Sequence, residues 1–157
     1  MTHELRKATL QDALTVASNL RPEDQRELEG LGYTPFQVVW GVLLCEDTFA
    51  FTNYENKLAG VGGVIPDDDG NAYIWTLCTP DIKSMGKTFF RQAKRHIDEL
   101  TKPYKMVYAQ CDIRNKLHQR FLKHLGFRAL RTVTTQPYNL PYLEVVRLCA
   151  PLLSQQV

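Results

Sequence analysis

Asn115-Lys116-Leu117-His118-Gln119-Arg120-Phe121-Leu122-Lys123-His124-Leu125-Gly126-Phe127 reads as a helix that stops at a glycine and hands over to a strand. Asn115 is a favoured N-cap residue, Gly126 can take the left-handed backbone that ends a helix, and Phe127 opens the next apolar run. On the near side, Tyr104 to Cys111 (YKMVYAQC) is a strand. On the far side, Phe127 to Thr135 and Tyr142 to Cys149 are two more. Upstream, Lys83 to Leu100 carries Phe89, Phe90, Ala93, Ile97 and Leu100 at helical spacing with lysines and arginines outside, which predicts an amphipathic helix. Before it, Thr48–Asn53, Leu58–Ile65 and Ala72–Thr79 alternate like strands. The turns Glu55-Asn56-Lys57 and Asp67-Asp68-Asp69-Gly70-Asn71 join them into an antiparallel meander.

The N-terminal third adds helices. Glu4 to Ala8 predicts a short strand, and Thr9-Leu10-Gln11-Asp12 carries a capping-box signal before an apolar-periodic stretch. Arg21 to Gly30 is a strongly polar helix with Pro22 and acids in its first turn. Pro35 to Leu44 is either a short helix with Phe36, Val39, Trp40 and Leu43 on one face or a buried strand. Trp40, Trp75 and Phe51 read as core.

At 157 residues, 44% apolar and 23% charged, the chain has the size of one domain. Residues 1–153 are expected to form it, with a loose tail at Ser154–Val157. A net charge of +2 with mixed signs gives no case for nucleic acid, and no apolar run approaches the roughly 20 residues of a membrane span. Cys45, Cys78, Cys111 and Cys149 stand more than 30 residues apart without metal-ligand spacing, so each reads as a core thiol and no metal is expected. With no secretory h-region at the start, a reducing cytoplasm is the expected setting.

The order β-α-α-(α)-β-β-β-α-β-α-β-β resembles the GNAT superfamily of N-acetyltransferases. The Asn115 to Phe127 block is similar to that family's N-x-x-A-x-x-F-Y-x-x-x-G-F pattern. Arg21-Pro22-Glu23-Asp24, Trp40, Trp75 to Thr79 and the Asn115 block more particularly resemble small GNAT-like proteins of tailed bacteriophages, over about residues 4–149. The resemblance implies an α+β fold. Its sheet has six to seven mostly antiparallel strands, a splay between the fourth and fifth, and four to five flanking helices.

It also implies acetyl-CoA as co-substrate, lying in the splay against Leu77, Cys78 and Thr79. Its pyrophosphate would rest on the helix start at Lys83, Ser84, Met85, Gly86, Lys87 and Thr88, where the family has [Q/R]-x-x-G-x-[G/A]. Ser84 to Thr88 is equally read as a solvated helix start. Gly86-Lys87-Thr88 also mimics the end of a P-loop, but Asp81 stands where that motif needs glycine, which argues against nucleotide hydrolysis.

Acetyl transfer to an amine needs a donor to the thioester carbonyl, a base for the amine and an acid for the departing thiolate. The family's tyrosine seven residues after the asparagine is Leu122 here, so the usual general acid is missing unless Tyr108, Tyr138 or Tyr142 reaches the thiol from elsewhere. His118 replaces the family's small residue and is either a catalytic acid or base or a structural histidine. Asn115 either contacts the pantetheine arm or caps its own helix. Asp67-Asp68-Asp69 and Glu55 are further base candidates or plain solvated turns.

Two functions are therefore expected from the resemblance. One is acyl-CoA-dependent transfer to an amine of a small molecule or protein, by a monomer or homodimer. The other is a catalytically degenerate phage protein that binds and modulates a host protein in the bacterial cytoplasm.

Overall fold

The computed structural model describes residues 4–149; the expected tail at Ser154–Val157 lies outside the described residues. A seven-stranded sheet runs in the order β1-β2-β3-β4-β5-β7-β6. The strands are β1 (Leu5–Arg6), β2 (Asp47–Thr52), β3 (Leu58–Pro66), β4 (Ala72–Cys78), β5 (Met106–Asp112), β6 (Arg128–Thr135) and β7 (Leu140–Leu148). All neighbours pair antiparallel except β4 and β5, which run parallel and pair only at Ala72–Val107 and Tyr73–Tyr108 before diverging. The α+β class, strand number and splay match expectation.

Five helices cover the sheet: α1 (Leu10–Ser18), α2 (Pro22–Gly30), α3 (Gln37–Leu44), α4 (Lys87–Leu100) and α5 (Lys116–His124). On one face, α4 and α5 drive Phe89, Ala93, Ile97 and Leu122 against Phe51, Val107 and Ala109. On the other, Ala13, Val16, Leu28, Val38 and Val39 meet Ala50, Val61 and Leu77. Burial of this kind stabilises by about 1.5–3 kcal/mol per large side chain.

Local chemistry explains the element ends. The Thr9 side chain accepts from the Asp12 N–H and the Asp12 carboxylate from the Thr9 N–H, completing the capping box. Gly126 has φ +95°, the left-handed conformation its position requires, and the Phe127 N–H closes on the Leu122 carbonyl at 3.0 Å.

Three expectations are corrected. The amphipathic helix begins at Lys87, because Thr79 caps a separate 3-10 turn over Pro80–Ser84. Trp40 is 47% exposed, packed edge to face on Phe36, while Val38 and Val39 point inward. Cys45 is only half-buried at the end of α3; all four thiols are free and Cys78, Cys111 and Cys149 are buried. Among the described residues no helix is long and apolar enough to cross a membrane.

Candidate functional site

The divergence of β4 from β5 strips the end of β4 of a partner, and its main-chain groups must be satisfied some other way. The N-terminus of α2 does this. The Arg21 N–H donates to the Cys78 carbonyl at 2.9 Å, and the Cys78 N–H donates to Asp24 Oδ2 at 2.7 Å. Arg21 is 4% exposed; its guanidinium donates to Asp24 Oδ1 at 2.8 Å and to Asn115 Oδ1 at 3.1 and 3.2 Å. Helical spacing puts Arg21, Asp24 and Glu27 on one face of α2, opposite Asn115 and His118 on the first turn of α5.

Asn115 ties the two helices. Its Nδ2 donates to Asp24 Oδ1 at 2.9 Å and to Glu27 Oε2 at 2.8 Å, while its Oδ1 also caps α5 through the His118 N–H at 3.3 Å. His118 Nδ1 lies 3.0 Å from Glu27 Oε1. Burial alone would lower the pKa of His118, but the Glu27 carboxylate outweighs it and holds the imidazole well above its usual range. Burial pushes Asp24 up, against the pull of His118 and Arg21. The Tyr142 hydroxyl donates to the Glu27 carbonyl at 2.6 Å. Only glycine at position 30 allows that approach, since a Cβ there would stand 2.3 Å from the hydroxyl.

Three spaces surround this seam. A groove of about 540 Å³ between α4 and α5 is floored by Phe90, Leu117 and Phe121 and rimmed by Lys87, Arg91, Arg120 and His124. Beneath it, sharing Phe90, Leu117 and Phe121, only about 20 Å³ remains beside Arg21, Asp24, Thr76, Cys78 and His118. On the opposite face of the sheet a pocket of about 600 Å³ is lined by Tyr33, Gln37, Tyr73, Trp75, Gln110 and Glu144, among others. Trp75 and Leu77 face that pocket while Thr76 and Cys78 face the small cavity, as alternation along β4 requires. The small cavity and the far pocket therefore lie on opposite faces of β4.

The sequence-predicted residues divide accordingly. Cys78, Asn115 and His118 meet at the seam. Leu77 lies on the far-pocket side, and Thr79 is buried with its hydroxyl donating to the Leu58 carbonyl at 2.8 Å. Lys83, Ser84 and Met85 belong to the 3-10 turn and its end: Met85 is core, and the Ser84 hydroxyl donates to the Asp81 carbonyl and accepts from Asn53. Gly86 is the N-cap of α4 without a capping side chain, and a Cβ there would meet nothing closer than the Tyr54 hydroxyl at 3.7 Å. Lys87 and Thr88 are exposed in the first turn.

As a base, His118 has no free lone pair once protonated, and its Nδ1 is committed to Glu27. Tyr142 is sealed in the core with its hydroxyl committed to Glu27 and its pKa pushed up by burial. Tyr138 is 64% exposed in the β6–β7 turn, outside the network and all three spaces. Tyr108 donates to Asp67 at 3.4 Å, at the end where β4 and β5 still pair. Leu122, at the expected acid position, is in the core. Glu55 pairs with Lys57 in solvent, and Asp67 accepts the Asp69 and Asn71 N–H groups of its own turn.

Burial raises the Cys78 and Cys111 thiols, so neither is a poised nucleophile. Glu27, Cys111 and His118 bring potential ligand atoms within 4.8 Å of one another. The Glu27 oxygens already accept from His118 and Asn115, so an ion pair accounts for that cluster. Sequence spacing did not foresee it.

The residues missed entirely are Arg21, Asp24 and Glu27 as buried groups. The available signal was the pair of matched polar spacings, Arg21-x-x-Asp24-x-x-Glu27 against Asn115-x-x-His118.

A CoA-type ligand has two ends with different needs. The anionic nucleotide end fits: the groove is cationic at its rim and aromatic in its floor, and it opens at the uncapped start of α4. The thioester end does not fit this arrangement. The β4 N–H that would face a thioester carbonyl is held by Asp24, and Arg21 fills the splay.

No family model matches the chain, and no curated protein matches it. Solved structures do. A chimera of the spermidine N-acetyltransferase of Vibrio cholerae and hSSAT superposes with TM-score 0.67 at 13% identity, over 98% of this chain and 99% of that one. The ribosomal-protein-S5-alanine acetyltransferase of Vibrio fischeri gives 0.66 at 16%, over 96% and 94%. AAC(6')-Ib in complex with ribostamycin and coenzyme A gives 0.65 at 17%, over 99% and 97%. At these identities the likeness carries the fold: this chain has the GNAT fold.

Proposed function

We propose that this chain is a GNAT-fold protein of the acyl-CoA-dependent N-acyltransferase class, with an amine acceptor taken up on the sheet face opposite the CoA groove. The observation that carries this reading is a cationic groove between α4 and α5 together with a β4–β5 splay and a pocket of about 600 Å³ on the other face of the sheet. Lys87, Arg91 and Arg120 would hold the phosphates, with Phe90 and Phe121 beneath them. The chain's own part is to hold the nucleotide end; at the thioester end the splay is occupied by Arg21 and Asp24. Tyr33, Tyr73 and Trp75 give the far pocket an aromatic wall suited to a cationic amine, and Glu144 adds a carboxylate that also accepts from Arg131 at 3.3 Å. The same lining leaves a small molecule and a peptide side chain open as acceptors. Acceptors named for structural neighbours, spermidine and the aminoglycoside ribostamycin among them, are amines of this chemistry.

A second reading has its own observation. Because Arg21 and Asp24 occupy the splay, the chain also suits a protein that acts by contact, with Phe36, Trp40, Leu43 and Leu44 exposed on and beside α3 as the contact surface. Action on a host protein by a phage-encoded chain is the form this takes if the phage likeness of the sequence holds.

Calorimetric titration with CoA and with acetyl-CoA tests the first reading. Saturable binding that is lost in Gly86→Glu, which adds bulk and an anion at the start of α4 without touching the core, is the expected result. Absence of binding at millimolar ligand leaves the contact reading.

A further inference from the structure

We infer that Arg21 and Asp24 form an internal seal that stands in the place of a ligand's acyl arm, so that the groove takes the nucleotide end of a CoA-type ligand and excludes its pantetheine arm. The inference rests on the CoA groove of the reading above and narrows that reading: while the seal is in place no acyl group reaches the far pocket.

The polar groups that a thioester arm would need are already used by the chain itself. Asp24 Oδ2 accepts the Cys78 N–H at 2.7 Å, and the Arg21 N–H takes the Cys78 carbonyl at 2.9 Å, so the free end of β4 is bonded on both main-chain groups. The Arg21 guanidinium spans from α2 to Asn115 at the head of α5, beside the small cavity that shares Phe90, Leu117 and Phe121 with the groove. What is left beside these side chains is about 20 Å³, room for about one water molecule. Charge reinforces the closure. Arg21 and Asp24 are both buried and bonded to each other, so withdrawing one alone takes a charged partner from the other.

The groove above is unaffected by the seal. Lys87, Arg91, Arg120 and His124 are all on the outer side of Phe90, Leu117 and Phe121, the residues that separate it from the small cavity. A ligand that needs only the groove can therefore enter while one that needs the splay gains nothing from its extra length.

Calorimetry with two probes reads this directly: CoA, and adenosine 3′,5′-bisphosphate, which carries the phosphorylated nucleoside without the arm. For the wild-type chain the seal predicts affinities equal within about threefold. In Arg21→Ala/Asp24→Asn, which removes both charges together, CoA should bind at least about tenfold more tightly than the bisphosphate while bisphosphate affinity stays unchanged. Arg21→Met/Asp24→Asn keeps the volume of the plug and should show no such gain.

A wild-type preference of tenfold or more for CoA overturns the seal, and this comparison stands even if a variant fails to fold. Bisphosphate binding with no gain for CoA in the alanine variant overturns the seal alone. Binding of neither probe to either protein overturns the seal together with the acyl-CoA reading.

Discussion

The seam between α2 and α5 and the groove between α4 and α5 lie a few side chains apart and obey opposite rules. In the seam every polar atom of Asn115 is bonded, and Arg21 and the protonated His118 stand against Asp24 and Glu27, so the charges balance internally. In the groove Lys87, Arg91 and Arg120 project cations to solvent without carboxylates among the lining residues. The same types of side chain hold the fold together in one place and offer themselves to a ligand in the other. Pairing, not composition, makes the difference.

That contrast can be broken most sharply at Asn115. Asn115→Leu keeps the size of the side chain but leaves Arg21, Asp24 and Glu27 without their shared partner, and about 3–5 kcal/mol of stability should be lost. Urea denaturation reads it as a lower midpoint, and a change no larger than that of a surface substitution would show the seam to be solvated.

A smaller effect, visible as a slope against pH, is expected from His118. Its folded-state pKa is raised by Glu27 above the ordinary imidazole value of about 6.5. Its contribution is thus fully present below that pH and is lost as pH rises through the folded-state pKa. Melting temperature measured across this range should fall toward alkaline pH more in the wild type than in His118→Gln; parallel curves would mean that folding leaves the His118 pKa unshifted.

The smallest stability effect belongs to the groove. Lys87→Ser/Arg120→Ser should change unfolding free energy by no more than about 0.5 kcal/mol, yet weaken adenosine 3′,5′-bisphosphate binding about tenfold. Loss of stability with intact binding would exchange the roles of the two regions.

The elements whose signals are local were legible in the sequence. Thr9 and Asp12, Gly126, and the alternation of β2 to β4 act through neighbours in the chain, and the structure reproduces them. The phase of α3 was not legible. Gln37–Leu44 is apolar almost all round, so periodicity has no polar face to orient it, and tertiary contact turns Val38 and Val39 inward while Gly41 faces the Trp75 ring.

The seam was misread for the opposite reason. A helix rich in Glu, Asp and Arg looks solvated, and its burial depends on Asn115 and Cys78, which are 91 and 54 residues from Asp24. His118 was singled out as a histidine where the resembled family has a small residue. Its partner Glu27, which decides its protonation, is likewise distant in sequence.

Asn115 also constrains how this chain can diverge. Both its amide hydrogens and its oxygen are committed to three different residues of α2 or its cap. A substitution at position 24 or 27 therefore takes the acceptor from one Asn115 amide hydrogen, and a substitution at 115 takes one partner from each of the three. Neutral drift through these four positions one at a time is closed off. Descendants of this chain should inherit Arg21, Asp24, Glu27 and Asn115 as a block, or replace them as a block.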